Sequence, residues 1–547
     1  MSTFSDYKAY KRIYPQYNDW KVSRQLAEAK RVEYLQKNPS EKSTEDIQKS
    51  KAILRAIDVM DEYSQQRAED MEVATEFVVG NCLSLSTLGG ATIGLLCARH
   101  KPVQNFISKY IKVAKNNKQM LYLIASAIGG IIGTLPAFPM FVWAAKAEVG
   151  ASRQGRYEAM RKDLKDPKLF ATLTPEQEEL LNKNLEGLKL EKKSDKIGLK
   201  KAIKTVKEGV FNSGDYIKQK KDFEKIQEED KKLFDKKLTP EEIEKAKSDQ
   251  QLLTKLVEKI DIASQDYAEN AELATSALIT TGFGFGALFA LGYKKIAKTL
   301  KLKNTSAPAM LGVGIMLLST IFATTIQKQA ARVGRFKAKQ ELMNNPEQLI
   351  YVNDDKIKNI DNVEVQKNKK MNILEFLKVA WKNNKEFEEW KKTEGAKEKQ
   401  LSKALENIEL TEEQLKDAKR VQINTFKTFN KVDEKSQKYS EGIEAIGNGI
   451  EYPISYISSG IASIFAAKHL DAALKSKPKA GMAPMMAYVA TILVSVLPSL
   501  LINAYITKEQ KRASRTADML AINEMQDYRH FADYSAYKVQ QTNDKNE

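Results

Sequence analysis

The chain has 547 residues, 29% of them charged, and a formal net charge of +17. Its mean hydropathy of −0.46 is typical of a soluble protein, but that average conceals long apolar stretches that alternate with highly charged ones. Cys82 and Cys97 lie about four turns apart on one predicted helix, which excludes a disulfide framework and a thiol metal site. Because the lysines are scattered among acidic residues, we expect them to face solvent and anionic lipid headgroups. We expect no nucleic acid as a partner.

The amino-terminal segment MSTFSDYKAYKRIYPQYNDW contains no apolar run and two aspartates. It therefore predicts neither a secretory signal nor a transit peptide. It is one of three polar segments rich in aromatic residues, which we expect to form small helical caps on longer helices; anchoring at the membrane interface is the alternative. The aromatic residues are Tyr14, Tyr17 and Trp20 in the first segment, Phe211 and Tyr216 in the second, and Trp381, Phe387 and Trp390 in the third.

A polar, mostly acidic motif recurs three times, and each time it precedes an apolar run. It reads DEYSQQRAEDMEVAT from Asp61, DIASQDYAENAELAT from Asp261 and, more loosely, DEKSQKYSEGIEAIG from Asp433. We call the three surrounding segments the first, second and third copies. The recurrence predicts that one structural unit is built three times.

Each copy contains a helix start upstream of this motif. The N-cap candidates Ser43, Thr239 and Thr411 are each followed three residues later by an acidic or amide side chain, the pattern of a capping box. In the first two copies nothing interrupts the helix before the apolar run, so one helix of about 55 residues, roughly 80 Å, is predicted. In the third copy, GNGIEYP at 447–453 is expected to kink or break the helix.

Six stretches are nearly free of charge and about 20 residues long, the length of a helix that crosses a bilayer. Buried helices of a soluble protein are the alternative, but six such stretches in three hairpins are hard to place in a soluble core. Glycines at four-residue spacing, as in Gly90 and Gly94, Gly129 and Gly133, and Gly282 and Gly286, favour close helix approach in lipid. The predicted spans are 73–98, 120–145, 273–293, 307–326, 446–467 and 482–506.

A basic motif, Arg-x-small-Arg, follows the second span of every copy. Because the two helices of a hairpin run antiparallel, these arginines should lie level with the acidic motif, with serines and alanines such as Ser64, Ser264 and Ser436 letting the stems approach. A single exposed pair of this kind contributes about 0–1 kcal/mol, so we expect it to set register more than stability. Solvated helix faces are the alternative. The predicted pairing joins Asp61, Gln65 and Glu69 to Arg153 and Arg156; Asp261, Gln265 and Glu269 to Arg332 and Arg335; and Asp433, Gln437 and Glu441 to Arg512 and Arg515.

These patterns divide the chain into three repeats and two linkers. Repeat 1 covers 1–170, repeat 2 covers 208–350 and repeat 3 covers 372–547. The linker at 171–207 begins with a short helix at 174–185, and the linker at 351–371 follows the second repeat. The lysine-rich parts of the linkers, 190–207 and 354–370, are expected to be mobile.

The hairpin tips are short and basic, and the positive-inside rule places them in the cytosol. The large mixed-charge stems without cysteines argue for the opposite orientation, since such domains suit a cytosol and are awkward to export. Six spans put both termini on the same side in either case. The basic residues of the tips are Arg99, Lys101, Lys109, Lys112, Lys115 and Lys118; Lys294, Lys295, Lys298, Lys301 and Lys303; and Lys468, Lys475, Lys477 and Lys479.

The sequence contains no recognisable catalytic or cofactor motif. His100, His469 and His530 are dispersed, and the GFGFG at 282–286 lies inside an apolar helix without the preceding strand of a dinucleotide site. We therefore expect no enzyme activity, metal or cofactor.

Few polar residues are placed where a transport path would need them. Asn81, Glu451 and Asn503 are the candidates within the spans. Pro139 and Pro498 fall at equivalent positions of the first and third copies and predict a shared kink, whereas the second copy has Leu318 there.

The sequence as a whole predicts an all-α, polytopic membrane protein. Six transmembrane helices would form three tandem hairpin repeats, with long helical stems on one side of the membrane. We expect a non-enzymatic, membrane-anchored scaffold or assembly component that contacts the bilayer, anionic headgroups at the tips and other proteins through the stems. The alternative is a small-solute or ion transporter or channel along the pseudo-threefold axis.

Overall fold

The computed structural model describes residues 3–39, 43–111, 114–115, 117–134, 138–187, 213–304, 306–360, 363, 371–393, 395, 397, 400–476 and 478–534. At some helical positions within these ranges only the backbone is described. Most of the described residues are helical, and no strand occurs among them. The expected all-α class is therefore confirmed.

Long helices dominate the architecture. Their bounds, numbered in chain order with the shorter helices, are α1 (Thr3–Lys37), α2 (Thr44–Cys97), α3 (Lys101–Tyr110), α4 (Lys118–Thr134), α5 (Phe138–Arg161), α6 (Pro175–Gly187), α7 (Ser213–Lys231), α8 (Pro240–Val257), α9 (Ala263–Leu291), α10 (Tyr293–Thr299), α11 (Ala307–Asn344), α12 (Asp354–Ile357), α13 (Ile373–Lys392), α14 (Leu401–Leu405), α15 (Glu412–Lys475), α16 (Pro478–Ser495) and α17 (Leu497–Glu524). A turn of π-helix, Glu258–Ile262, joins α8 to α9.

Three helices begin at the predicted caps. Thr239 and Thr411 form complete capping boxes with Glu242 and Gln414, and the Ser43 side chain accepts a hydrogen bond from the backbone of the third residue of its turn. These caps satisfy amide groups that the first turn of a helix leaves without partners. The predicted starts of the three long helices are confirmed.

The break expected in the third copy is wrong. Helix α15 runs without interruption over 64 residues, through 447–453. Gly447 lies against the side chain of Ile506 in α17, so its missing Cβ makes room for a neighbouring helix. A proline removes one backbone hydrogen bond, and packing on both sides can hold a helix continuous across that loss.

The interruption predicted at the paired prolines is present in the third copy. Helix α16 ends at Ser495 and α17 begins at Leu497, with Pro498 in its first turn, whereas α11 of the second copy is continuous. In the first copy Pro139 lies in the first turn of α5, and the preceding 135–137 are outside the described residues. Proline suits a first turn because its missing N–H would have no partner there.

The two helical arms of each copy pack together: α2 on α4 and α5, α9 on α11, and α15 on α16 and α17. In the first copy, Gly90 contacts Gly129 and Ser64 contacts Ser152, so the arms run antiparallel. Side chains of all three copies, among them Ile57, Leu253 and Phe429, form one buried apolar core between the stems.

The copies also pack on one another in a constant order. The cap helix α1 lies on α15 and α17 of the third copy, and α13 lies on α9 and α11 of the second. Helix α7 lies on α5 of the first copy and to the same extent on α15 of the third. Three 3-10 turns repeat this order, because Pro167–Phe170 packs on α15, Pro346–Leu349 on α2 and Tyr528–Phe531 on α8. Each copy therefore lies against the one before it, and the first lies against the third.

Three helical segments of the described residues are long and apolar enough to cross a membrane: Pro240–Leu291, Ala307–Gln327 and Gly481–Glu524. Leu88–Cys97 and Lys118–Gly133 are apolar but shorter. The predicted spans at 73–98 and 120–145, like that at 446–467, fall partly on positions whose side chains are not described. Large apolar side chains such as Phe285, Leu318 and Leu501 face outward, as expected for a surface in contact with lipid.

The predicted linkers are only partly described. Helix α6 is the short helix expected at 174–185, while 190–207 lies outside the described residues. The second linker contains α12, and Asp354 in that helix pairs with Arg31 of α1 at 2.8 Å. Phe211 and the side chain of Tyr216 also lie outside the described residues.

We predict that Gly90→Ala destabilises the protein by about 1–3 kcal/mol, because the added Cβ would meet the carbonyl oxygen of Gly129 and force α2 and α4 apart. Gly89 is the matched control, since a Cβ there has no neighbour within 4 Å. Thermal unfolding in detergent should show a lower midpoint for Gly90→Ala and an unchanged or slightly higher one for Gly89→Ala. Equal midpoints would contradict the close approach.

Candidate functional site

The first residues of the recurring acidic motif meet between the stems. Asp61, Asp261 and Asp433 belong to three different helical segments, and two arginines join them into one network. Arg335 places Nη1 at 2.7 Å from Asp61 Oδ1 and Nη2 at 3.3 Å from Asp261 Oδ1. Arg156 pairs with Asp433 and places Nη2 at 3.7 Å from Asp61 Oδ1. We call these five residues the stem ring.

The ring joins neighbouring copies as well as the two arms of one copy. Within a copy, Asp61 contacts Arg156 and Asp261 contacts Arg335, as the sequence predicts. Across copies, Arg335 of the second binds Asp61 of the first, and Arg156 of the first binds Asp433 of the third. The order of these contacts is the same as that of the cap helices and the 3-10 turns.

The third copy departs from the predicted pairing. Arg515 pairs with Asp266 and Glu269, and Arg512 places Nε at 3.1 Å from Glu269 Oε1, so both arginines contact the second copy. Among the described side chains neither forms an ion pair with Asp433. The expected pairing of Asp433 with Arg512 and Arg515 is therefore wrong, whereas that of Gln437 and Glu441 falls on side chains outside those described. The contacts of Arg512 and Arg515 keep the cyclic order.

The remaining predicted residues are distributed around the ring. The side-chain amide of Gln265 donates to Ser514 Oγ at 3.0 Å and to Asp518 Oδ2 at 3.1 Å, both in the third copy. Gln65 and Arg332 line a small cavity beside Asp61, and Arg153 interacts electrostatically with Asp433. The side chains of Glu69, Gln437 and Glu441 are outside those that the structure describes.

Small side chains set the register of the arms next to the ring. Ser64 Oγ lies 2.5 Å from Ser152 Oγ and Ser436 Oγ lies 2.6 Å from Ser514 Oγ, while Ser264 Oγ donates to the carbonyl of Ala331 at 2.8 Å. The three serines occupy equivalent positions of the copies. The predicted close contact of the arms at these serines is confirmed.

Asp518 is a fourth buried carboxylate at this level, and the first and second copies have Ala159 and Ala338 at the equivalent positions. The sequence analysis missed it, although extending the alignment of the arginine motif by three residues would have shown the difference. Burial, followed by the charges of Asp261 and Asp433, raises the pKa of Asp518 well above its ordinary value. A neutral acid is therefore the stable form of Asp518 in the folded protein over a wider pH range than in the unfolded chain.

Burial is also the main influence on the pKa values of two carboxylates of the stem ring, Asp61 and Asp433. It raises the pKa of Asp61 against the opposing effects of Arg335 and Arg156, and that of Asp433 against Arg156. Burial lowers the pKa of Arg156, but the charges of Asp433, Asp261 and Asp61 outweigh it and the pKa is raised. The Oδ2 atoms of the three aspartates are buried and have no hydrogen-bond partner among the described residues. The ring is thus a desolvated ion network with strict demands on geometry.

The cap helix α1 covers the outer acid–arginine contacts. Tyr14 and Tyr17 place their rings 5.4 Å and 5.7 Å from the guanidinium groups of Arg512 and Arg515, a favourable cation–π geometry. Lys21 pairs with Asp266 at 2.6 Å. Of the other cap aromatics, Trp390 packs on Phe387, and Trp381 stacks on Phe322 of the candidate span Ala307–Gln327, with ring centroids 4.9 Å apart. Packing of the cap aromatics on neighbouring helices is therefore present, and anchoring at the membrane interface stays a prediction.

A cavity of about 880 Å³ opens where the three long helices begin. It is lined by Thr44, Thr239 and Thr411 together with acidic and basic side chains such as Glu241 and Lys245, which pair at 2.9 Å. Acidic residues in the first turns offset the positive ends of the helix dipoles. The cavity therefore presents a mixed polar surface without the excess positive charge of an anion site.

The candidates for a transport path have separate surroundings. Ser499 Oγ donates to Glu451 Oε1 at 3.1 Å, and Thr507 Oγ1 lies 3.3 Å from Asn503 Oδ1. No described contact joins Glu451 to Asn503, and the side chain of Asn81 is outside the described set. Among the described side chains no group of three or more His, Cys, Asp or Glu residues is arranged to hold a metal ion.

Comparisons with protein-family models, curated proteins and solved structures find no match for this chain. The function is therefore argued from the residues and their geometry.

We predict that Arg335→Gln lowers the free energy of unfolding by about 3–5 kcal/mol, because it leaves two buried carboxylates without their shared cation. Arg335→Lys should give an intermediate value, since an ammonium keeps the charge but not the planar fork that reaches both acids. Lys358→Gln is the control: its pair with Asp355 is exposed and screened by solvent, so the loss of stability should be much smaller than for Arg335→Gln. Denaturant titration in detergent measures all three, and a loss for Arg335→Gln as small as for the control would overturn the buried network.

We predict that Asp518→Asn flattens the dependence of stability on pH. The folded-state pKa of Asp518 is raised, so the folded protein binds this proton more tightly than the unfolded chain. Protonation of Asp518 therefore stabilises the folded protein below the ordinary pKa of an aspartate, and this stabilisation is lost as the pH rises through the folded-state pKa. The loss is about 1.4 kcal/mol for each tenfold difference in proton affinity between the folded and the unfolded chain. An asparagine at position 518 is neutral at every pH. At pH values above the folded-state pKa of Asp518, the variant should therefore be more stable than the wild type.

Melting temperatures measured from acidic to alkaline pH test this expectation. Asp355→Asn is the control because that aspartate is exposed, and hydrogen bonding to Lys358 lowers its pKa. The control should lose stability at neutral pH or leave it unchanged. Parallel profiles for Asp518→Asn and the wild type would show that Asp518 does not titrate in the predicted way.

Proposed function

We propose that the protein is an integral membrane scaffold, built from three tandem hairpin repeats with six transmembrane helices. The observation that carries this proposal is the cyclic set of contacts around the stem ring, in which arginines of each copy bind acids of the preceding one. A buried network of this kind favours one fixed arrangement, because any shift leaves a desolvated charge without its partner. A rigid helical body on one side of the membrane suits a structural role.

Composition and length support three membrane-spanning segments among the described residues. The proposal adds three more spans to these. The remaining three would be provided by α2, by α4 with α5, and by the membrane part of α15. Two of these include the shorter apolar segments Leu88–Cys97 and Lys118–Gly133, and the glycine contacts between α2 and α4 resemble those of helices packed in lipid. This arrangement puts both termini on the side of the stems.

The basic tips would contact anionic lipid headgroups. Helix α3 supports this role, because its buried Ile107 packs toward the hairpin while Phe106 and Tyr110 are 63% and 66% exposed. Lys109 lies over the Tyr110 ring at 5.4 Å. Exposed aromatics next to lysines are typical of helices that lie in the headgroup region. With the tips in the cytosol, as the positive-inside rule indicates, the stems would bind other proteins on the opposite side.

A transporter or channel is the second candidate function. It is favoured by one observation, the pairing of Glu451 with Ser499 beside the interruption between α16 and α17. Discontinuous helices with an ionisable group at membrane depth are typical of solute and ion pathways. The scaffold is preferred because the described polar contacts are concentrated in the stems.

Single-cysteine labelling tests the architecture. With Cys82 and Cys97 replaced by alanine, cysteines introduced at Ser108, Thr299 and Ser476 should react with an impermeant maleimide from one side of sealed vesicles. Cysteines at Lys183 and Lys358 in the stem region should react only from the other side. Tips that label from opposite sides would rule out three equivalent hairpins.

The scaffold and the transporter differ in two further readouts. Lysine-reactive cross-linking in native membranes should join stem lysines reproducibly to the same other proteins. The purified protein in sealed vesicles should dissipate proton, sodium or potassium gradients no faster than empty vesicles. A gradient dissipated by the wild type and preserved by Glu451→Gln would reject the scaffold in favour of transport.

A further inference from the structure

Glu451 lies inside the predicted fifth span. It is the sixth residue of 446–467, so at 1.5 Å per residue it lies about 8 Å from the stem-side end of the span. Its side chain is only partly exposed, and the equivalent residues of the other copies are Val79 and Ile279. An ionised side chain costs about 2.5–3.5 kcal/mol at the centre of a span, so a carboxylate inside one is driven toward a neutral form.

The hydroxyl of Ser499 is the described partner of this carboxyl group. Its oxygen lies 3.1 Å from Glu451 Oε1 and is itself buried. One neutral hydroxyl does not compensate a full negative charge at this depth, whereas it satisfies the carbonyl oxygen of a protonated acid. The single hydrogen bond therefore fits the neutral acid better than the carboxylate.

Further serine hydroxyls lie along the interruption between α16 and α17, and no described hydrogen bond joins them to Glu451 or Ser499. Ser458 Oγ donates to the carbonyl oxygen of Ser495 at 2.8 Å, and Ser495 Oγ lies 3.4 Å from Ser459 Oγ. Pro498 has no N–H, so the interruption frees backbone carbonyl groups that these hydroxyls can satisfy. A hydroxyl group can both donate and accept a hydrogen bond, so Ser499 can stay bonded to Glu451 whether the acid is protonated or ionised.

The charged group that faces Glu451 from a neighbouring helix is Glu272 of α9, which interacts with it electrostatically. Glu272 in turn interacts with Lys511 of α17 and is bonded to Ser276. Two acids close together disfavour simultaneous ionisation. Among the described side chains, Glu272 has the favourable charge of Lys511, whereas Glu451 has the Ser499 hydroxyl as its hydrogen-bond partner, so we assign the proton to Glu451.

We propose that Glu451 is a proton-binding site in the membrane part of the third copy, held by Ser499 beside the helix interruption. Binding adds one proton from water to the free carboxylate oxygen, and release returns it to water, so no other reactant is involved. This inference rests on one part of the proposed function, the membrane span at 446–467, but not on the scaffold role. The labelling experiment above tests the spans and the experiment below tests the protonation of Glu451, so the two can fail separately.

Infrared spectroscopy of the protein in lipid vesicles tests the proposal. A protonated carboxyl group gives a carbonyl band separate from the carboxylate bands. The part of that band that belongs to Glu451 should be present in the wild type at neutral pH and lost in Glu451→Gln, whereas any part that belongs to the buried acid Asp518 should remain in both. Glu272→Gln is the matched control, being an acid replaced by the same amide on the adjacent helix, and it should retain the band of Glu451.

Ser499→Ala gives a second, independent readout. It removes the hydrogen bond to the carbonyl oxygen, so the Glu451 band should shift to higher frequency rather than disappear. This variant keeps Glu451, so its carbonyl band can be measured even if Glu451→Gln does not fold. The proposal is wrong if the carbonyl band is the same in the wild type and Glu451→Gln, or if Ser499→Ala leaves the band unchanged. Glu451 would then be an ionised group of α15 next to the start of α17.

Discussion

One buried carboxylate holds the arrangement of the stems. Asp61 Oδ1 lies within ion-pair distance of an arginine from its own copy, Arg156, and of one from the next, Arg335. Each arginine reaches a further aspartate, so moving any one of the long helices along its axis would separate at least one desolvated pair. Such a network adds little net stability compared with apolar packing, but it strongly penalises alternative registers. The apolar core above it, shared by all three copies, is non-directional and cannot set this register alone.

The cyclic order of contacts follows from that constraint. A cap helix, a 3-10 turn and a set of arginines from each copy all lie on the copy before it. These contacts involve different chemistry, namely aromatic packing, a short apolar turn and ion pairs, so their agreement is not the result of one interaction. Closing the order from the first copy back to the third leaves no copy at a free end. The stems are therefore joined into a ring of three rather than stacked as an open array.

The sequence alone predicts the local features well and the partners of charged groups poorly. Caps such as Thr239 and close contacts at Gly90 or Ser64 follow from residue types that act within one helix or one hairpin. The sequence does not tell whether Arg335 binds Asp261 or Asp61. Because the three copies carry similar motifs, pairing within a copy and pairing between copies look the same in the sequence. Gly447 was taken for a helix breaker because a glycine that makes room for Ile506 looks the same as one that ends a helix. The π-turn at Glu258–Ile262 has no glycine or proline to mark it.

The third copy contains most of the departures from the repeated pattern, and they are polar. Asp518 stands where the other copies have alanine, Glu451 where they have valine and isoleucine, and α16 is separated from α17 where α11 is continuous. A buried acid is costly, and the first two copies make their contacts with alanine at the position of Asp518 and with an apolar residue at that of Glu451. Features that burden stability and break the repetition are those that a structural role does not require. If the protein has a task beyond holding its own helices, the third copy is where its chemistry is concentrated.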